Sequence, residues 1–200
     1  MHDYSIDKHP KEKILFALAF LAIIATPFIN QALSQVQENL GGWTLPLTGL
    51  SVFMVFGTIF WFFNQFLWKC KHVRKLLLMP DLNGKWECSG ITLIKAGEET
   101  NYAWKAEINI TQSWSKIIIR LKTKESVSRS TSASITRLEG QGFKILYHYQ
   151  NDPTAIVDTL NKHDGAAEII FNQDCTEGEG HYFTDQHRST VGSLTLRKIK

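Results

Sequence analysis

Charge is almost missing from the first third of this chain. Between Ile14 and Trp68 the only ionised side chain is Glu38, which excludes an ordinary solvated surface for that stretch. Cysteine is scarce as well. Cys70, Cys88 and Cys175 show no CxxC spacing and no evident pairing, so the chain reads as the product of a reducing compartment and not as a disulfide scaffold. There is no HxH or HExxH spacing and no Gly-rich loop between a strand and a helix, so no metal, cofactor or enzymatic centre is expected. His148, His163, His181 and His187 are scattered, and Asp152 and Asp164 stand in the turn contexts NDP and HDG, where capping and turn roles account for them. Net charge is lacking from the C-terminal part too: from Pro80 onward 15 Lys and Arg balance 15 Asp and Glu. A general binder of duplex DNA or RNA needs a basic excess on its folded domain, and that class is excluded.

What the chain does have is two long apolar runs. ILFALAFLAIIATPFINQAL fills residues 14–33, and at about 1.5 Å per residue it matches a hydrocarbon core roughly 30 Å thick. The second run, 45–68, is rich in Phe on all sides, unlike the single stripe of a buried globular helix. A cleaved signal peptide is the rival for the first run, but no small-x-small cleavage site follows and an equally apolar run comes soon after. Three Lys precede the first span and four basic residues follow the second in WKCKHVRKLLLMPDLNGKW, while the connector SQVQENLGGW has no Lys or Arg. The positive-inside rule then places both termini in the cytoplasm. The expected layout is a cytoplasmic segment 1–13, spans 14–33 and 45–68, a periplasmic turn 34–44 with Trp43 near the interface, a basic linker 69–79 and a cytosolic domain 80–200. Asn30, Gln31, Asn64 and Gln65 fall near the span ends, where interfacial anchoring suffices. Ala22 with Thr26, and Gly49 with Gly57, are weak helix-packing signals.

After PDLNG the hydrophobic period changes to two. Tyr102, Trp104, Ala106, Ile108 and Ile110 share one face of a strand; Ile117, Ile119 and Leu121 share another, and Phe143, Ile145, Tyr147 and Tyr149 a third. Further strands near 84–93, 126–136, 166–172, 177–184 and 191–199 bring the count to eight. The fold class expected is therefore two transmembrane α-helices followed by an all-β, eight-stranded, antiparallel up-and-down barrel of lipocalin-like type. Gly84-Lys85-Trp86 is similar to the G-x-W of lipocalin barrels, whose Trp plugs one end. Simple up-and-down order sorts the strand ends: Trp86, Trp114, Ile135, Phe143 and Leu196 fall near the membrane, and Tyr102, Thr123, Ser126, Ser128, Tyr147, Tyr149, Tyr182 and Thr184 fall at the far mouth. Tyr and Trp faces stack on bases, while Ser, Thr and Arg donate to phosphates. A merely solvated rim is the other reading of the same residues. In SVSRSTSAS alternation leaves two choices: Arg129 points into the mouth, or a bulge turns Ser126 and Ser128 inward.

The order of the paired spans, PDLNGKWECSG, YAWKAEINITQSWSKIIIRLKTKES, ILYHYQNDP, KHDGAAEIIF and EGHYFTDQHRSTVGSLTL resembles the two-transmembrane, β-strand-rich effectors associated with CD-NTase enzymes in bacterial CBASS anti-phage operons. That resemblance covers nearly the whole chain. TDQHRSTVG is longer than the family pattern, which puts any role for Arg188 in doubt. The resemblance implies an inner-membrane protein whose cytosolic barrel binds a cyclic dinucleotide made by the partner enzyme. Binding then drives homo-oligomerisation and membrane disruption, so that the infected host dies before phage mature. On this reading Tyr102, Trp104, Tyr147, Tyr149 and Tyr182 supply stacking walls, and Thr123, Ser126, Ser128, Arg129 and Thr184 contact phosphate or base edges. Two rivals share the fold: a membrane-anchored carrier of an apolar ligand, and a structural interaction module.

Overall fold

The computed structural model describes residues 1–39, 50–93, 102–154, 162–185 and 190–199, in two compact units: Lys8–Val73, and Met1–Asp7 together with Arg74–Lys200. The first is helical. Helix α1 (Lys11–Asn39) and helix α2 (Val52–Gln65) are followed by a 3₁₀ turn (Leu67–Lys69) and a short helix α3 (Lys71–Leu77). The 29 residues of α1 make a rod about 44 Å long. It starts before the expected span, carries Pro27 within it, and continues through 34–39, residues assigned by sequence to the connector. Residues 40–49, with Trp43, Gly49 and the start of the second span, lie outside the described residues. The basic linker is also partly ordered, as α3.

Leu18, Ala22 and Thr26, one turn apart along α1, are buried, as are Val55 and Phe63 of α2, and α1 packs on α2. The Thr26 hydroxyl donates to the Ala22 carbonyl at 2.7 Å, so this polar group carries no unmet bond into the seam. Asn30 does more than anchor an interface. Its side chain accepts from the Leu50 N–H at 2.8 Å and donates to the Leu50 carbonyl at 3.1 Å, tying the two ends of the hairpin together. Phe16, Phe20, Phe28, Phe53, Met54, Trp61 and Phe62 are left exposed, an outer surface that a bilayer accepts and water does not. Gly57 faces open space on the same outer side.

The second unit is a closed ring of nine strands, one more than the eight expected: β1 (His2–Ile6), β2 (Gly84–Leu93), β3 (Tyr102–Gln112), β4 (Lys116–Lys122), β5 (Ser126–Leu138), β6 (Gly142–Pro153), β7 (His163–Phe171), β8 (Glu177–Thr184) and β9 (Val191–Lys198). Strands β2 to β9 form the anticipated antiparallel meander, closed by β2 on β9. The additional strand comes from residues assigned to a plain cytoplasmic tail. It enters between β4 and β5, pairing antiparallel with β4 through His2 and Asp3 and parallel with β5 through Tyr4, Ser5 and Ile6.

A bulge in β5 makes the slot for it. Ser130 lies opposite Tyr149 and Ser132 opposite His148, so Thr131 is the extra residue. One extra residue reverses the parity of a strand. Ser126, Ser128 and Ser130 therefore face inward on one side of the bulge and Ile135 on the other. Beyond Arg120 and Arg129, β5 parts from β4. The Ser130 hydroxyl bridges the gap, accepting the Ile119 N–H at 2.9 Å and meeting His2 Nε2 at 2.7 Å.

The end of the barrel nearest these chain connections is sealed. Trp86 is fully buried, packed edge-on to Phe171 with ring centroids 5.0 Å apart, and its Nε1–H donates to the Leu82 carbonyl at 3.1 Å. Gln112 holds the plug. Its Oε1 accepts from Leu82 N–H at 2.9 Å, and its Nε2 donates to Tyr4 Oη at 3.0 Å and to the Pro80 carbonyl at 3.2 Å. Tyr4 Oη in turn donates to the Ser113 carbonyl at 3.1 Å, and burial raises its pKa above the usual phenol value. One amide thus joins β1, the segment entering β2, and β3. Replacing it strands several buried groups at about 1–3 kcal/mol each. Gln112→Ala is expected to lower stability by about 2–4 kcal/mol, read as an earlier loss of near-ultraviolet circular dichroism on heating the full-length protein in detergent.

Candidate functional site

The opposite end is open. Its mouth leads into a cavity of about 440 Å³, a size ordinary for a small-molecule site. Nine of the ten side chains expected there line it: Tyr102, Trp104, Thr123, Ser126, Ser128, Tyr147, Tyr149, Tyr182 and Thr184. The tenth, Arg129, does not. The bulge puts its parity on the outside, where it is exposed and lies 3.8 Å from Asp152. Residues 186–189, including His187 and Arg188, fall outside the described residues.

Each of three aromatic rings rests on a glycine. Trp104 is the register partner of Gly90, Tyr149 of Gly165, and Tyr182 of Gly192. A Cβ built on Gly90 would run into the Trp104 indole, and one on Gly165 or Gly192 would lie 2.5 Å from the Tyr149 or Tyr182 ring. The absent side chain leaves room for the ring to fold across the neighbouring strand. Trp104 and Tyr182 meet edge-on with centroids 5.8 Å apart, and Tyr147 and Tyr149 lie at 6.1 Å. Trp104 Nε1–H donates to Thr92 Oγ1 at 3.2 Å and to Tyr182 Oη at 3.3 Å, while those two oxygens are 2.5 Å apart. This network fixes one wall. Tyr147 is deeper and buried, and burial, followed by the proximity of Tyr149, raises its pKa.

The hydroxyls divide by role. Thr123 Oγ1 accepts the N–H groups of Glu125 at 3.1 Å and Ser126 at 3.0 Å, and Thr184 Oγ1 accepts the Thr190 N–H at 2.9 Å. Thr123 builds a rim turn, and Thr184 ties the end of β8 to Thr190, just before β9. Ser128 differs: it is buried, lines the cavity, and its hydroxyl has no hydrogen-bond partner among the described residues. Its register partner is Asn151, equally buried, also lining the cavity, with an amide that has no partner among the described residues. Next to Asn151 in the ladder stands His163, a third buried polar side chain of the lining. Facing the open cavity, the Ser128 hydroxyl and the Asn151 amide offer donors and acceptors to a polar occupant.

Asn151, His163, Thr92 and Thr190 were missed by sequence reasoning. For Asn151 a signal existed, since Tyr147, Tyr149 and Asn151 share one parity; for Thr92 the parity of Trp86 and Cys88 served equally. Cations are sparse at the cavity. Lys105 and Lys124 border it, both exposed, with Glu125 beside the latter.

The described residues contain no group of three or more metal-ligating side chains. Burial pushes the Cys88 thiol up to about 12 and the Cys175 thiol up to about 11, so neither is a ready nucleophile.

Comparison with known proteins covers both units. A family model described as "Cap15, cyclic dinucleotide receptor domain" matches residues 77–198, and a second, "Cap15, TM helices", matches residues 12–69. A protein of Yersinia aleksiciae named CD-NTase-associated protein 15 is 39% identical over 138 residues, 69% of this chain. The match spans 64% of that protein's length. A protein of the same name from Staphylococcus schleiferi is 29% identical over 153 residues, 76% of either chain.

Both buried thiols stabilise the fold in their protonated form. That contribution is complete below the ordinary thiol pKa near 8.5 and is lost as pH rises through about 11 to 12. At pH 8 iodoacetamide is expected to modify exposed Cys70 alone in the folded protein and all three cysteines once it is denatured, counted by intact mass.

Proposed function

The chain belongs to the Cap15 family, and we propose that its barrel is the receptor for a cyclic dinucleotide that enters the open mouth. The observation that carries this reading is the open cavity, in which the Ser128 hydroxyl and the Asn151 amide stand under a wall of three glycine-seated rings. Flat faces suit bases, and the amide of Asn151 offers a donor and an acceptor to a base edge. An apolar ligand would leave that amide and hydroxyl unmet, which disfavours the carrier alternative.

Arg129 faces away, so the ring phosphates meet hydroxyl donors and the rim cation Lys124 instead of a buried guanidinium. Without a buried positive charge the cavity discriminates by shape and stacking, and bulk RNA has little hold on it. The reading is tested by titrating full-length protein in detergent with cyclic di-AMP, cyclic di-GMP and cyclic di-UMP. Tyr149→Ala and Tyr182→Ala are each expected to weaken binding roughly 5- to 150-fold, the range for one lost base–aromatic stack. Unchanged affinity in both would discard this cavity as the site.

The membrane half of the proposal rests on the flanking charges and on β1. Residues 1–7 and 74–200 build a single unit, so both ends of the helical hairpin return to one side, and the Lys and Arg flanks favour the cytoplasmic side of the inner membrane. Ligand binding then promotes association of neighbouring copies, and the assembled spans disturb the bilayer. A ligand can do this only by binding the assembled state more tightly than the free one. A fluorescent protein that matures only in the cytoplasm, fused after Lys200, is expected to glow; a dark, exported fusion would remove the premise of an internal signal.

A further inference from the structure

Helix α3 ends on a conformation that usually calls for glycine. The Met79 N–H donates to the Arg74 carbonyl at 3.2 Å, and Leu78 just before Met79 is left-handed at φ 52°. That is a Schellman ending, whose left-handed position favours Gly and tolerates Asn because a Cβ is strained there. Leucine at this position costs backbone energy, and its own chain gives little in return, since the side chain is 51% exposed. Leu76 is 82% exposed, more than any other large apolar side chain described in the barrel unit. Lys71, His72 and Lys75 are exposed on the same helix, while Val73, Arg74 and Leu77 are half-covered and Met79 is buried. One face of α3 thus mixes lysine with bare leucine.

What covers that face follows from charge and chain length. No Asp or Glu occurs between Glu38 and Asp81, whereas Lys69, Lys71, Arg74 and Lys75 crowd together after the second span. Arg74 lies 3.9 Å from Asp81 and Lys69 sits over the Trp68 ring at 6.0 Å, but Lys71 and Lys75 have no ion pair among the described residues. The extended backbone of Cys70 (φ −58°, ψ 131°) separates α3 from the turn that follows α2. Whatever the direction in which α3 sets off, its 7 residues measure only about 10 Å, so Leu76 stays close to the level at which the span ends. A helix of that length does not hold its shape alone in water. We propose that α3 docks on the headgroup layer of an anionic leaflet, with Leu76 and Leu78 entering the layer and Lys71 and Lys75 meeting lipid phosphates. The inference goes beyond the receptor reading and rests only on α1 and α2 crossing a bilayer. Apolar burial and attraction to anionic lipid act together on such a helix. The strain at Leu78 is then offset in the membrane and not within the fold.

The test places full-length protein, a single copy per lipid nanodisc, in phosphatidylcholine alone or mixed with phosphatidylglycerol, and follows amide hydrogen exchange in the peptide 71–79. Exchange there is expected to be roughly 5-fold slower or more in the anionic discs, the effect of a lysine held near an anionic surface. The barrel strands should exchange equally in both. The slowing is expected to vanish in Lys71→Gln with Lys75→Gln and to shrink in Leu76→Ser, and raising salt from about 0.05 to 0.5 M should reduce it. Leu78→Gly separates the two roles of that residue. In neutral detergent it is expected to melt at least as high as the parent chain, since glycine relieves the left-handed strain, yet in anionic discs it loses part of the protection. Equal exchange in both lipids, the same slowing by soluble glycerol phosphate over phosphatidylcholine discs, slowing only when several copies share a disc, or a lower melting temperature for Leu78→Gly would each overturn the docking. Dinucleotide titration of the same discs scores the receptor separately. Binding without slowing sinks the helix proposal alone, and slowing without binding sinks the receptor reading alone.

Discussion

A sheet that closes on itself must satisfy every backbone donor and acceptor around its circumference, and the single irregularity at Thr131 of β5 determines how this one does so. One inserted residue changes which side chains of β5 look inward, sending Ser126 and Ser128 to the mouth, Ser130 to the seam with β1 and Ile135 to the core. It also separates β4 from β5 and leaves two strand edges without partners, a costly state inside a barrel wall. The five residues of β1 fill that opening. Through Tyr4 and Gln112 the same strand reaches the plug at the sealed end. The chemistry of the mouth, the closure of the wall and the capture of the N-terminal segment therefore have one origin.

Much of this was legible in the sequence because it follows from local rules. Uncharged runs of span length gave the helical hairpin, period-two alternation gave eight strands near their observed bounds, and meander order sorted polar from bulky strand ends. The failures share a different cause. β1 is short, carries no strong alternation, and bonds to residues such as Ser130 that lie 128 positions away across two spans. No window of sequence contains both partners. The parity of SVSRSTSAS has no local solution either; the strand had two registers, and only the opening for β1 decides between them. Arg129 went to the wrong face for that reason, and Asn30 gained a partner in Leu50 that no periodicity indicates.

The glycines show a third kind of legibility. Glycine inside a strand ordinarily weakens it, and Gly90, Gly165 and Gly192 all lie within strands. In the ladder each is the seat of a ring, and the pairs Gly90–Trp104, Tyr149–Gly165 and Tyr182–Gly192 recur on three different strand pairs. Once register is known the pattern is plain, since a glycine faces an aromatic residue each time. Preorganised in this manner, the rings need little reordering to receive a flat partner.

The capture of β1 also has a consequence for biogenesis. During synthesis the first strand emerges long before either of its neighbours exists, and it must wait unpaired while both spans are threaded and β4 and β5 are made. The wall can be completed only in a molecule whose hairpin has returned the chain to the side where it began. A copy inserted with a single crossing would keep an open seam, so maturation of the cup is itself a check on correct insertion.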